Sequence, residues 1–450
     1  MPYLPHWPIP SSLGNRQIDY ETVFERMGQV LQKLNNPHKN LPPVIHITGT
    51  NGKGSTAAAL AKIFSYAGYK THIYTSPHLH NCNERIILDG EKISDSFLFE
   101  VMEEVRIATD ETPLTFMEGF TIGAFLAFTK VPADIAIIEC GMGGRIDATN
   151  IIPEKLATVI TPISFDHVEY LGNSIERIAL EKVMILRPDT PLIVSSQPQT
   201  AKNIIKIIAQ DQKALPYFYD EDFAIMMNEE NGEFDLEFFI NNNLEYNLEN
   251  LPKPSLLGQH QYINFSTAIA TILAIKYHKP NLFNITEDHI RQAISSVYWP
   301  SRLEKINNNL QKILKNNLSE VWLDGAHNEA GAFSLAKFII EKKSQDQKIK
   351  DDFVIIGFSK NKCKKEFLEK FKNVGCKLIA VRVDGEPYPE KSEIISEIGK
   401  SIGMEIFAAE DLFDAINYIA QMQKESAQYR PCRVVICGSL HLARDVKKFG

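Results

Sequence analysis

Gly49-Thr50-Asn51-Gly52-Lys53-Gly54-Ser55-Thr56 stands between an apolar run, Pro43-Val-Ile-His-Ile-Thr48, and a small-residue amphipathic stretch reaching Tyr69. The run predicts a strand and the stretch a helix with a Ser/Thr start, so the glycines fall at a strand-to-helix turn. Glycine lets a backbone point its N–H groups inward, lysine supplies a point charge, and a helix N-terminus adds partial positive charge. Polyphosphate is the ligand that such a turn suits. The strict spacing G-x-x-x-x-G-K-[ST] is not met, because Ile47 lies five residues before Gly52 and Gly54 follows Lys53. The alternative is a glycine-rich turn with an incidental lysine; the strand–helix context favours a nucleoside triphosphate.

Outward from this turn the alternation continues. Apolar runs at 71–75, 134–139, 156–161 and 191–195 predict strands, and the stretches 94–108, 116–130 and 174–186 predict helices. Near-continuous apolar strands alternating with helices predict an α/β fold, a parallel sheet covered on both faces. Residues 217–250 change to an alternating, Asn- and Glu-rich meander, expected as a small antiparallel insertion or edge. Helices are expected at 260–277 and 286–296, and Trp299-Pro300-Ser301-Arg302 marks a domain boundary. Strands near 319–324, 352–358, 377–383 and 432–437 then predict a second, Rossmann-like α/β domain. The expected division is 1–298 and 299–450.

The chain has 450 residues, 44% hydrophobic and 23% charged, which is globular composition with room for two or three domains. Its 48 Lys+Arg against 56 Asp+Glu give a net charge of −8, which argues against nucleic acid or an anionic membrane as partner. Six cysteines without a C-x-x-C pair give neither a disulfide framework nor a zinc spacing, and read as reduced, mostly buried thiols. Residues 1–10 lack a basic segment and are broken by prolines, unlike a signal peptide, and no apolar run approaches the ~18–20 residues of a membrane span. A soluble, cytoplasmic monomer is expected.

The loop resembles the phosphate loop of the Mur ligase superfamily and, more narrowly, that of the folylpolyglutamate synthase/dihydrofolate synthase family. The resemblance continues through Thr75-Ser-Pro-His-Leu79 with Asn83-Glu-Arg-Ile86, and through Glu139-Cys-Gly-Met-Gly-Gly-Arg-Ile-Asp-Ala-Thr-Asn150. Asp166-His167, Glu181-Lys182, Gly258-Gln-His260 with Asn264, Trp299-Pro-Ser-Arg302 and Asp324-Gly-Ala-His-Asn328 follow in family order. The resemblance implies an ATP-dependent amide ligase that adds L-glutamate to dihydropteroate and to reduced folates through an acyl phosphate. Both activities are favoured over folate extension alone. It assigns the ATPase and folate site to 1–298, and to 299–450 the completion of the ATP and glutamate site.

The same resemblance implies roles for single residues. Thr50, Asn51, Gly52, Lys53, Gly54 and Ser55 would hold ATP, with Asn264, Arg302 and Asp324 completing the nucleotide site; Arg302 suits this because its planar fork grips phosphate. Glu139, at the end of a buried strand where parallel sheets place ligand residues, would bridge two Mg²⁺ ions, with Ser76 a ligand of the first and His167 of the second. Lys182 as a free amine is a cation with a pKa near ~10.4 and reads as a helix-surface lysine; the family's matching lysine is carbamoylated by CO2 and supports the metals. Val183-Met184 replace the family's Ala-Gly after it. Lys53, Glu139, His167 and Lys182 form the implied catalytic set.

For the pteroate, the resemblance implies Thr115, Phe116, Met117 and Glu118 together with Ile146, Asp147 and Ala148. Phe116 could stack on a flat heterocycle or belong to the core, and Glu118 could simply favour a helix N-terminus. His327 would neighbour ATP or the incoming glutamate, a helix-capping role being the alternative. Asn361 and Cys363 flank Lys362 where the family has Asp, which separates this chain from the family's glutamate-binding pattern. A cell-wall Mur ligase would need an additional N-terminal domain, and 48 residues precede Gly49. A guanine-nucleotide switch would need Asn-Lys-x-Asp, where this chain has Asn361-Lys-Cys-Lys364.

Overall fold

The computed structural model describes residues 20–307, 309–346, 348–386, 388–425 and 428–448. The segment 1–10, read above for targeting signals, lies outside them. Two compact units emerge. Unit 1 holds the described residues through Ile163, Glu169–Ser255 and Gln261–Tyr298. Unit 2 takes Ser164–Val168, Leu256–His260 and the described residues from Trp299 onward. Two short segments from within the first 298 residues thus cluster with unit 2.

Unit 1 is built on an eight-stranded sheet of order β4-β3-β2-β5-β1-β6-β7-β8. Its strands are β1 (Val44–Thr48), β2 (Thr71–Tyr74), β3 (Ile86–Leu88), β4 (Glu91–Lys92), β5 (Ile135–Glu139), β6 (Ala157–Ile160), β7 (Pro191–Val194) and β8 (Leu215–Phe218). From β2 to β8 every pair is parallel, and β3 and β4 add an antiparallel edge. All five residues of β1 and of β5 are buried, as unbroken apolar runs require in a sheet covered on both faces. Phe120, Phe125 and Phe128 of the helix Phe116–Lys130 pack into a core with Ile138 of β5. Ile160, Val194 and Phe218 join Ile178 and Ile205 in a second core. Each such side chain contributes about 1.5–3 kcal/mol by leaving water.

The chain steps outward from β1 in both directions, to β5 and β2 on one side and to β6 and β7 on the other. Such a reversal opens a crevice at the carboxyl ends of the central strands, where Thr48 and Glu139 lie. The expected meander is a separate three-stranded antiparallel sheet, β9 (Phe223–Met227), β10 (Phe234–Ile240) and β11 (Asn243–Leu251). In β10, Phe234, Leu236, Phe238 and Ile240 alternate inward with period two.

Unit 2 carries a six-stranded sheet of order β12-β13-β19-β14-β15-β16. The strands are β12 (Glu304–Ile306), β13 (Glu320–Leu323), β14 (Asp351–Ile356), β15 (Lys377–Ala380), β16 (Ile406–Ala408) and β19 (Cys432–Cys437); β17 (Lys424–Glu425) and β18 (Gln428–Tyr429) form a separate pair. β12 is antiparallel and the rest are parallel. β19, last in the chain, lies in the middle of the sheet. The α/β class is therefore as read from sequence, with β12 and β16 unforeseen because each spans three residues. Among the described residues no helix is long and apolar enough to cross a membrane. Cys140, Cys432 and Cys437 are buried and Cys363 is exposed.

Candidate active site

At the carboxyl end of β1 the chain turns at Gly49, whose φ of +142° and close approach to Thr161 leave no room for a side chain. The N–H groups of Thr50 and Asn51 donate to the carbonyl of Pro162 (3.0 and 3.2 Å), which pins the start of the loop. Gly52 follows with φ +86°, a left-handed position where a Cβ would overlap the Asn264 amide. The helix then opens at Lys53 and runs to Tyr66, two residues ahead of the predicted Ser/Thr start, because left-handed Gly52 rather than a hydroxyl residue precedes the first turn. Lys53 Nζ donates to the carbonyls of Gly49 and Thr50, both at 3.2 Å, and stands 3.8 Å from Glu139 Oε1.

Glu139 closes β5 and is buried, its Oε2 accepting from Thr75 Oγ1 at 2.5 Å. Ser76 follows Thr75. A Cβ placed on Gly141 would lie 3.7 Å from Ser76 Oγ, 3.4 Å from Asp147 Oδ2 and 3.2 Å from Met117 Cε, so this glycine keeps open a small space walled by those groups. Lys182, near the end of the helix Ile175–Val183, is buried and donates from Nζ to the carbonyl of Gly49 at 2.9 Å. The surface reading of this lysine is corrected: the helix turns it inward, onto the phosphate-loop turn. Lys53 and Lys182 thus meet on one carbonyl, with Glu139 beside Lys53.

The described residues contain no cluster of three His, Cys, Asp or Glu arranged to hold a metal ion. The donors at hand are hard oxygens, the Ser76 hydroxyl and the Glu139 carboxylate. That set fits Mg²⁺, which takes most of its ligands from water and phosphate. His167 belongs to unit 2, where it has φ +50° and a half-exposed side chain 3.9 Å from Asp166.

The two expected pteroate stretches are both in unit 1. Thr115 caps the helix Phe116–Lys130 through a capping box: its hydroxyl accepts from Glu118 N (3.2 Å) while Glu118 accepts from Thr115 N (3.1 Å). The Glu118 carboxylate also accepts two hydrogen bonds from buried Arg26 (2.6 and 3.3 Å), which ties it to the interior. Phe116 and Met117 stay partly exposed, and Phe116 packs at 5.4 Å on Phe120. Asp147 is held by the N–H groups of Met142 and Thr149, both at 3.0 Å, and by the Thr149 hydroxyl at 2.5 Å. The Thr149 hydroxyl also lies 2.7 Å from His46 Nε2. Ile146 packs against the core and Ala148 is buried in it.

Unit 2 gathers Arg302, Asp324 and His327. Asp324 is buried and accepts from Leu303 N and Ala326 N, both at 2.8 Å. Burial raises its pKa against the lowering charge of Arg302. Arg302 Nε is buried without a hydrogen-bond partner, and Nη1 would lie 3.3 Å from a Cβ on Gly325. An unused buried guanidinium donor suits an anionic ligand. His327 does not cap the following helix; Asn328 does, accepting from Gly331 N at 3.0 Å. His327 instead places Nε2 3.0 Å from Asp166 and Nδ1 2.8 Å from the Gly325 carbonyl.

Asp166 is the residue that sequence reasoning passed over. Lys362 Nζ reaches its Oδ1 at 2.5 Å, His327 and Asn328 face its Oδ2, and His167 N donates to its Oδ1. Burial alone would raise its pKa, but the His327 hydrogen bond and the charges of His327 and Lys362 hold it far below the usual carboxylate range. The available signal was its place beside His167 in the quoted motif.

Two family models match the chain: "Mur ligase middle domain" over residues 47–272 and "Dihydrofolate synthetase, C-terminal domain" over 305–449. The dihydrofolate synthase/folylpolyglutamate synthase of Bacillus subtilis is 32% identical over 443 residues, covering 97% of this chain and 96% of that protein. The probable dihydrofolate synthetase of Schizosaccharomyces pombe is 29% identical over 437 residues, covering 95% and 97%. The solved structure of E. coli FolC in complex with DHPP and ADP superposes with a TM-score of 0.78 at 27% identity, covering 97% of this chain and 95% of that one.

Proposed function

We propose, since this chain belongs to the dihydrofolate synthase/folylpolyglutamate synthase family of Mur-type ligases, that it joins L-glutamate to dihydropteroate and to reduced folates using ATP. The observation that carries this reading is the convergence of Lys53, Glu139 and Lys182 on the turn at Gly49. A loop binding a nucleotide alone has no use for a second buried lysine on the same carbonyl.

In this reading a carboxylate oxygen of the acceptor attacks the γ-phosphorus, and the bond to the bridging oxygen breaks to release ADP. The glutamate α-amine then attacks the acyl carbon, loses a proton, and phosphate departs to leave the amide. Lys53 and the N–H groups opening its helix hold the phosphate oxygens and offset their charge. Ser76 and Glu139 would hold Mg²⁺ in unit 1, and His167 would be a Mg²⁺ ligand of unit 2. The metal supplies charge neutralisation on the phosphate oxygens. Lys182 acts as its carbamate, whose nitrogen keeps one N–H for the Gly49 carbonyl while the new carboxylate turns a cation into an anion. Asn264 shapes the loop at Gly52, and Arg302 and Asp324 bind the nucleotide. Asp166 orients His327 toward the glutamate. Phe116, Met117, Ile146 and Asp147 meet the pterin-bearing acceptor, with Thr115, Glu118 and Ala148 setting the backbone that carries them. The enzyme works as a monomer.

ADP release measured with 7,8-dihydropteroate plus L-glutamate, and separately with tetrahydrofolate plus L-glutamate, tests the proposal. Turnover is expected in both. Release that ignores the folate and the amino acid would rule out a ligase, and release with tetrahydrofolate alone would leave only the extending activity.

A further inference from the structure

Among the described residues the other buried arginines are paired with carboxylates. Arg26 is bidentate to Glu118, and Arg433 reaches Asp352 at 2.8 Å. Arg85 differs. It is 6% exposed, yet Nε donates to His78 Nδ1 (2.9 Å) and Nη1 to the Met117 sulfur (3.5 Å). Its guanidinium also lies over the rings of Phe116 and Phe120 at 5.6 and 5.8 Å.

Every one of these neighbours is neutral. An imidazole nitrogen that accepts from Arg85 carries no proton there, a thioether is a weak acceptor, and two aromatic faces offer only their quadrupoles. Among the described residues no carboxylate lies within 4.0 Å of the guanidinium. A desolvated cation without a counter-charge costs several kcal/mol. Position adds a second observation. The Arg85 carbonyl accepts from Thr75 N at 3.0 Å, beside Ser76 and the hydroxyl that holds Glu139. Met117, whose sulfur takes the Arg85 hydrogen bond, sets its methyl against Gly141 in the space shared with Ser76. The unmatched charge therefore sits one side chain away from the oxygens around Glu139.

We propose that Arg85 is the counter-charge for the acceptor's carboxylate: it pairs with the group that is to be phosphorylated and holds it beside Ser76 and Glu139. The proposal rests on the ligase reading above and names the residue that selects a carboxylate-bearing acceptor. The Phe116 and Phe120 rings fix the guanidinium plane, and Met117 separates it from Gly141.

The test is equilibrium titration of the full-length protein with 7,8-dihydropteroate and with the analogue lacking only the ring carboxylate, followed by fluorescence. Wild type is expected to prefer dihydropteroate by about 10- to 100-fold, the worth of a charged hydrogen-bonded pair. Arg85→Gln should bind both ligands alike, near the wild-type affinity for the analogue, while the KM for ATP is unchanged. Arg85→Lys should recover part of the preference. The wild-type preference needs no variant, so a misfolded Arg85→Gln leaves the decision to the ligand pair and to Arg85→Lys. Equal wild-type affinity for both ligands, or an equal loss on both in Arg85→Gln, overturns the role of Arg85 alone. Wild type that binds neither ligand overturns the ligase reading together with it.

Discussion

Lys182 and Lys53 both donate to the carbonyl of Gly49, and Glu139 lies 3.8 Å from the second of them. Two ammonium groups on one acceptor repel, and converting Lys182 to a carbamate removes one of the two charges while keeping an N–H for the shared carbonyl. Lys182→Ala and Lys182→Arg should therefore both lose about 100-fold or more in ADP release, the scale of a missing electrostatic group in a water-poor site, with melting temperatures close to wild type. Arginine keeps the cation and cannot take up CO2, so near-normal turnover in Lys182→Arg would remove the carbamate from the mechanism. At this scale the sequence revealed residue types better than partners. The glycine turn and Glu139 stand in local patterns that name their chemistry. Asp166 meets His327, Asn328 and Lys362 across 161, 162 and 196 residues, and no local pattern encodes such pairings.

Elements were legible in proportion to their length and burial. The helix Phe116–Lys130 matches its predicted bounds because a Thr/Glu capping box starts it and a continuous apolar run fills it. The three-residue strands β12 and β16 carry too few residues to show a period. The motif Gly258-Gln-His260 leads into the helix expected at 260–277, and the clustering of Leu256–His260 with unit 2 reflects packing rather than any change in composition. His260 in that segment gives this element a pH signature. Burial, and secondarily the charge of Arg302, lower its pKa from the ordinary 6.5 to about 4. The unfolded chain then binds the proton first. Stability is complete above about 6.5 and is lost as pH falls toward 4, by up to about 3 kcal/mol. Denaturant midpoints for unit 2 at pH 7 and pH 4.5 should fall further in wild type than in His260→Gln; equal falls would show that His260 does not carry the effect.

Each unit has apolar core of its own, in unit 1 around Phe120 and Ile138 and around Ile160 and Ile178, in unit 2 around Trp322, Phe338 and Val354. A chain with two such units is expected to depart from two-state unfolding. Calorimetry should give a total enthalpy larger than the van't Hoff value of the transition, and Mg²⁺ with a non-hydrolysable ATP analogue should raise the melting temperature; a single transition with matching enthalpies would contradict independent cores. With a net charge of −8, the proposed reading requires attraction for anionic substrates to be local, and assigns it to Lys53 and Arg85 in unit 1 and to Arg302 in unit 2. The placement of β19 bears on how such a chain is made. A ribosome delivers β13, β14, β15 and β16 before residues 432–437, yet β13 and β14 have no direct pairing and meet only through β19. Until that strand emerges, the nascent sheet is two fragments with exposed inner edges, open to pairing with other chains. Premature termination shortly before Cys432 should thus yield insoluble product, whereas a stop after β11 releases unit 1 strands already in register.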